Sequence, residues 1–345
     1  PRSPLFPYTT LFRSTVDDGQ AGRGRARGFS SSGARRVGGA PALSSYELAL
    51  QALFEGESVE IPQELLDRWL ATNTSPEALL AARTVGGNVE YLRRALELHP
   101  DQPQVLLAAI QMQDEPAVQR ARLDRLKEVD PDNALGFYLS AGDHLAAGRT
   151  EQAMADLLAA TAKPGFRDYA GEAMDQGRAL LTALGRTDGE AALLGSSSVL
   201  LPHLAPLKKL AQGLQAQQQG FLASGDHAAA EAIASMGVQL AQRLESGQGS
   251  GLLINQLVGL AVENIVLSKL PPSSTPSFLE DSVADHLTAR KARREELRGV
   301  HTGFEDWLRG ASEPQVVEFY ERLRAQGEES ALNWMRSGTG PLPSP

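Results

Sequence analysis

Three prolines punctuate this chain at nearly equal steps. Ala95–Asp101 reads ALELHPD, Leu126–Asp132 reads LKEVDPD and Ala159–Gly165 reads AATAKPG, which sets Pro100, Pro131 and Pro164 thirty-one and thirty-three residues apart. Each closes a stretch whose apolar residues recur at three- and four-residue spacing, the helical period. Helix pairs ended by proline at a period in the low thirties form a repeat pattern, in which each pair buries its apolar face only against its neighbours. Runs of period-two alternation are absent, so the expected fold is all-α: an antiparallel helix-pair array with a helical C-terminal region. With 345 residues, 42% apolar and 22% charged, the chain suits two domains or one extended array, and wholesale disorder is excluded.

Local signals place the elements. Ser75-Pro76-Glu77 sets a capping serine before a proline at the first helical position, followed by an acid in the first turn. Tyr91, Leu92, Ala95, Leu96 and Leu98 make one stripe, Pro103 opens the next helix, and Glu115 to Val129 supplies its partner. Phe166–Leu184 and Gly189–Leu201 read as another pair, after which Pro202 and Pro206 break the chain. Leu207, Leu210, Leu214 and Phe221 form a stripe that turns at Gly225-Asp226 into Ala228–Leu244. That turn (SGDH) echoes Ser140–His144 (SAGDH). A linker at Pro271–Ser277 precedes a long polar helix over Phe278–Leu308, and a last helix opens at Ser312-Glu313-Pro314 and ends near Met335.

On these residues the stretch Asn133–Pro164 resembles a tetratricopeptide repeat. Phe137 takes the large aromatic slot of the first helix and Ala141 the small slot where the helices cross; Gly148 sits in the turn, and Ala153, Leu157 and Ala160 fill the small–large–small slots of the second helix. Ser140, His144 and the early Pro164 depart from the pattern. The preceding units keep only Leu106, Leu123 and Pro131, and Leu92, Ala95 and Pro100, so the resemblance covers about residues 70–165. It implies a tetratricopeptide-like α-solenoid with an extended surface for a protein or peptide partner, hence a non-enzymatic interaction or scaffold protein. The chain is also similar in character to bacterial repeat proteins that carry an N-terminal membrane anchor. In a groove lined by first helices, Gln104 and Gln111 share a face seven residues apart. Tyr138 falls thirty-four after Gln104, in the matching slot of the next unit. These three are the candidate peptide-groove residues.

The expected organisation is therefore residues 1–40 as artefact and linker, 41–200 as helical repeats, 201–270 as a bundle continuing the array, 278–336 as C-terminal helices and 337–345 as a loose tail. Leu5–Ser14, LFPYTTLFRS, resembles a translated sequencing adapter, with the expectation that a true start or anchor has been lost upstream. The charge is −9 overall but −14 over residues 41–345, and so acidic a body repels phosphate backbones; no nucleic-acid partner is expected. Cytoplasm and periplasm both remain open as compartments.

Chemistry-bearing patterns are sparse. The absence of cysteine excludes disulfides, thiolate metal sites and cysteine nucleophiles. No histidine pair has zinc-hydrolase spacing, and no metal or cofactor is expected. Asp143-His144, Asp226-His227 and Asp285-His286 are carboxylate–imidazole neighbours, but adjacent helical residues point about 100° apart, so turn and cap roles fit better than catalysis. A helical hydrolase built on such a pair is the enzymatic alternative. Ser196-Ser197-Ser198 lacks a nucleophile elbow, and Gly247, Gly249 and Gly251 lack the strand of a dinucleotide site. Arg290, Lys291, Arg293, Arg294 and Arg298 lie among acids as a solvated helix face, and Phe304, Trp307, Phe319, Tyr320 and Trp334 suit a packed end cap. Gly251–Leu270 is about long enough to span a bilayer, yet Asn255, Gln256, Glu263, Asn264 and Lys269 fit a helix buried in protein; a membrane-associated assembly factor is the other alternative.

Overall fold

Ser75 accepts a hydrogen bond from the backbone N–H of Ala78, Asn133 from that of Leu135, and Thr187 forms a reciprocal capping box with Glu190. Such local devices start most of the helices in a computed structural model that describes residues 43–55, 61–112, 114–246 and 251–338. The adapter-like segment, the expected linker over 1–40, the tail from residue 339 and Gly247 and Gly249 lie outside the described residues. Among the described residues there are helices and no strands; one isolated parallel bridge joins Asn133 and Gly165.

The chain divides into two compact units, Pro1–Glu60 and Ile61–Pro345. The first contains helix α1 (Ser45–Glu55), opened by Ser44, whose Oγ accepts from the Glu47 N–H while Glu47 accepts from the Ser44 N–H. The second contains everything else, so the boundaries expected near residues 200 and 270 fall inside it.

In the second unit α2 (Gln63–Leu70) leads into the hairpin α3 (Pro76–Gly86) and α4 (Val89–Leu98). Then come α5 (Pro103–Ala108), a 3₁₀ turn over Ala109–Gln111, and α6 (Pro116–Val129). The next hairpin, α7 (Ala134–Ala146) and α8 (Thr150–Ala162), buries Ala141, Ala153, Leu157 and Ala160 completely. Alanines at the crossing let the two backbones approach, and Leu157 adds about 1.5–3 kcal/mol of burial. Consecutive helices pack against one another from α2 through α8.

Beyond α8 the chain turns back. After α9 (Ala170–Ala183) and α10 (Asp188–Ser197) come α11 (Leu204–Ala223), α12 (His227–Glu245) and α13 (Leu253–Leu267). Helix α9 lies along α3, α11 lies along α7 and α12 touches α8, so the second set of helices forms a layer on the first. Within that layer α9 and α10 meet where Gly195 faces the Arg178 backbone, with room for no side chain: a Cβ there would sit 2.9 Å from the Arg178 nitrogen. Helix α13 is buried on nearly every side among α11, α12 and α14 (Val283–Val300), as expected for the apolar stretch, and no helix of the described residues is long and apolar enough to cross a membrane. The unit closes with α15 (Phe304–Gly310), α16 (Glu313–Gln326) and α17 (Glu328–Arg336).

Several expected boundaries shift. Helix α9 begins four residues after Phe166, because Gly165–Asp168 is extended and held by side chains, as described below. Pro206 does not break the chain; it lies in the first turn of α11, where its missing N–H has no intrahelical role. The long polar helix over 278–308 is two helices parted at Gly303 (φ 86°), and the last helix is two parted at Gly327 (φ 87°), left-handed conformations that only glycine adopts cheaply. The SAGDH and SGDH echo is not structural: the first lies within α7 and the second is the turn between α11 and α12.

Candidate functional site

A cleft of about 630 Å³ lies between α3–α5 on one side and the start of α9 on the other, with Leu200 and Pro202 also lining it. Its apolar floor comes from Leu80, Leu92, Leu107 and Met112. These are the faces that the α3–α4 hairpin and α5 turn toward the returning α9, so the cleft is the seam left where the two layers meet.

Polar groups converge on that floor. Gln104, at the start of α5, donates its Nε2–H to Glu77 Oε1 at 3.2 Å. Arg83 donates Nη1–H to the Gly87 carbonyl at 3.0 Å, capping the end of α3. Arg93 pairs with Glu90 and Asp114 pairs with Arg122 at 2.5 Å. Glu172 stands exposed on the first turn of α9.

A strap over Gly165–Tyr169, leading into α9, brings Asp168 and Tyr169 to the cleft. Ala134 donates its N–H to the Gly165 carbonyl at 2.8 Å, and Asn133 Oδ1 accepts from the Arg167 N–H at 2.9 Å while its amide donates back to the Arg167 carbonyl. Tyr169 has φ 58°, the one positive φ at a non-glycine among the described residues. Its hydroxyl donates to Asp130, which also accepts from Arg167 at 2.9 Å. Burial, and then the Asp130 carboxylate, push the Tyr169 hydroxyl far above its ordinary range, so it serves as a donor and not as an acid. A left-handed tyrosine persists only where surrounding bonds over-determine it, and here they do.

Asp168, in the same strap, caps α9 by accepting the Ala170 N–H at 3.0 Å and accepts from Asn255 Nδ2 at 2.7 Å. His203 Nε2 lies 3.8 Å from Asp168 Oδ2, and both side chains are fully buried. Burial holds the His203 imidazole below its usual value despite the neighbouring carboxylate, which makes it neutral near pH 7.

The three expected groove residues part company. Gln104 lines the cleft. The backbone of Gln111 ends the 3₁₀ turn, where the seven-residue face of a continuous helix no longer holds, and its side chain lies outside the described residues. Tyr138 is fully buried, 6.4 Å from the Phe166 ring, and burial pushes its hydroxyl up to about 12. It belongs to the core because α11 covers α7, a contact that a register within one repeat does not reveal. No local motif marks Glu77, Tyr169, Glu172 and Leu200 as cleft residues; only their gathering across the seam does.

The Asp–His neighbours divide as well. Asp226 caps α12 and Asp285 takes part in the Ser282 cap of α14. Asp143 pairs with Arg120 and Arg149, and His144 Nδ1 accepts from Arg149 at 2.8 Å. Ser140 donates to Asp156, not to His144, and is fully buried. Among the described residues no group of three histidines or carboxylates could hold a metal ion. The basic run of α14 is more than a solvated face: Arg290 bridges Glu245 and Glu263, and Arg293 reaches Glu329 at 2.7 Å. The C-terminal aromatics do pack together, Phe304 5.1 Å and Trp307 5.5 Å from Phe319. No family model, no curated protein and no solved structure matches this chain.

Proposed function

We propose that this chain is a non-enzymatic interaction protein, built on tetratricopeptide-like helix hairpins, that receives a peptide segment of a protein partner in the cleft between α3–α5 and α9. The observation that carries the reading is the cleft itself. It has an apolar floor, a convergent Gln104–Glu77 pair and a rim held in place by the over-determined Tyr169 strap. A large, mostly apolar concavity with a few placed polar groups is the default binding-site geometry. The Asp168–His203 pair supports a hydrolase less well, because the imidazole is buried and lies beyond hydrogen-bond distance of the carboxylate.

The test is an array of immobilised 12-residue peptides probed with the purified chain. Wild type should bind a subset saturably, and Leu200→Arg should abolish that binding, since Leu200 lines the cleft, is 43% exposed and its substitution leaves the core alone. Binding that survives Leu200→Arg and Gln104→Ala together would refute the cleft as the site.

A further inference from the structure

The charged side chains that line the cleft do not balance. Arg93, Asp114 and Asp168 already have partners, in Glu90, Arg122 and Asn255. Arg83 donates to the Gly87 carbonyl at the end of α3 and has no carboxylate partner, so it sets one positive charge in the cleft against the two carboxylates that follow. Glu77 and Glu172 are different. Each lines the cleft, and among the described residues neither has a cation within ion-pair distance; Glu77 accepts only the Gln104 amide. They come from two different helices that line the cleft, Glu77 from α3 and Glu172 from α9. The body around them is itself acidic, −14 over residues 41–345, so the long-range field draws cations toward the same opening.

Resting on the reading of the cleft as a peptide site, we infer that its ligand is a basic amphipathic peptide: an apolar side chain seated on Met112 and Leu200, flanked by Lys or Arg that pair with Glu77 and Glu172. An acidic segment is disfavoured, because it would bring like charge against two carboxylates that have no ion-pair partner, Glu172 feeling Arg167 and Arg324 only at longer range.

Two labelled 12-residue probes with the same leucines, one carrying lysines and the other glutamates at the flanking positions, are titrated by fluorescence anisotropy. The lysine probe should bind with one-to-one stoichiometry. Glu77→Gln with Glu172→Gln should weaken it about five- to tenfold at low salt, as one half-exposed and one exposed ion pair allow. Raising salt to about 0.5 M should shrink that difference. Glu280→Gln with Asp281→Asn, exposed acids in the loop before α14, should leave it unchanged, which separates the cleft from general attraction to an acidic body. Equal weakening by both pairs of substitutions, or none by the cleft pair, would overturn the inference. If the glutamate probe binds as well and is lost in Leu200→Arg, the charge assignment fails while the cleft stands as a site. If neither probe binds, the inference fails whatever ligands the array finds.

Discussion

The hydroxyl of Tyr169 donates to the carboxylate of Asp130, thirty-nine residues earlier in the chain. That bond crosses from the strap before α9 to the turn between α6 and α7, and it fixes a tyrosine whose backbone is left-handed. Asp130 is 7% exposed and also holds Asn133 and Arg167, so three residues share its one carboxylate. The cleft wall is therefore as rigid as this network.

Tyr169→Phe should lower unfolding stability by about 1–2 kcal/mol, because it removes one bond to a buried carboxylate and leaves the left-handed backbone in place. Urea denaturation followed by circular dichroism reads the effect. An unchanged midpoint would mean the network does not hold the strap.

Glu328 is buried, its carboxylate accepting the Leu253 N–H at 2.8 Å where α13 begins, and burial pushes its pKa up to about 7. Folding thus favours the protonated acid. Its contribution is full below about pH 4.5 and is lost as the pH rises to about 7, on the order of 3 kcal/mol in all. Glu328→Gln should melt at a higher temperature than wild type at pH 8 and at nearly the same temperature at pH 4.5. Parallel melting curves across that range would contradict the assignment.

His203 gives the opposite slope. Burial lowers its pKa, so proton uptake favours the unfolded chain, and the penalty begins as the pH falls below 6.5 and grows until the folded imidazole titrates. His203→Leu should match or exceed wild-type stability at pH 7.5 and lose less of it at pH 5. A steeper acid loss in the variant would show that the buried imidazole is charged in the folded protein.

Two helical glycines should respond with opposite sign. Gly220 in α11 has nothing within 4 Å of where a Cβ would go, and Gly220→Ala should stabilise by about 0.5–1 kcal/mol. Gly237 in α12 faces α13, where a Cβ would land 2.5 Å from a Val266 methyl. Gly237→Ala should cost about 1–3 kcal/mol, and Val266→Ala in the same chain should recover part of it. Equal effects at the two sites would mean the α12–α13 spacing is wrong.

What the sequence determined by itself is local. Ser75 before Pro76, Thr187 three residues before Glu190, and the alanines and Leu157 of the α7–α8 hairpin act over one or two helical turns, and the helices stand where those signals put them. The places where it misled are those where a partner far along the chain decides. Asn133 and Asp130 hold Gly165–Tyr169 out of helix, α11 covers Tyr138, and Gly303 and Gly327 turn helices that periodicity alone would have run together. The cleft belongs wholly to the second kind. Glu77, Gln104, Glu172 and Leu200 become neighbours only because α9 buries its apolar face against α3 instead of continuing outward, and burial is non-directional: it fixes that a face must be covered, while the packing of the whole unit selects which helix covers it.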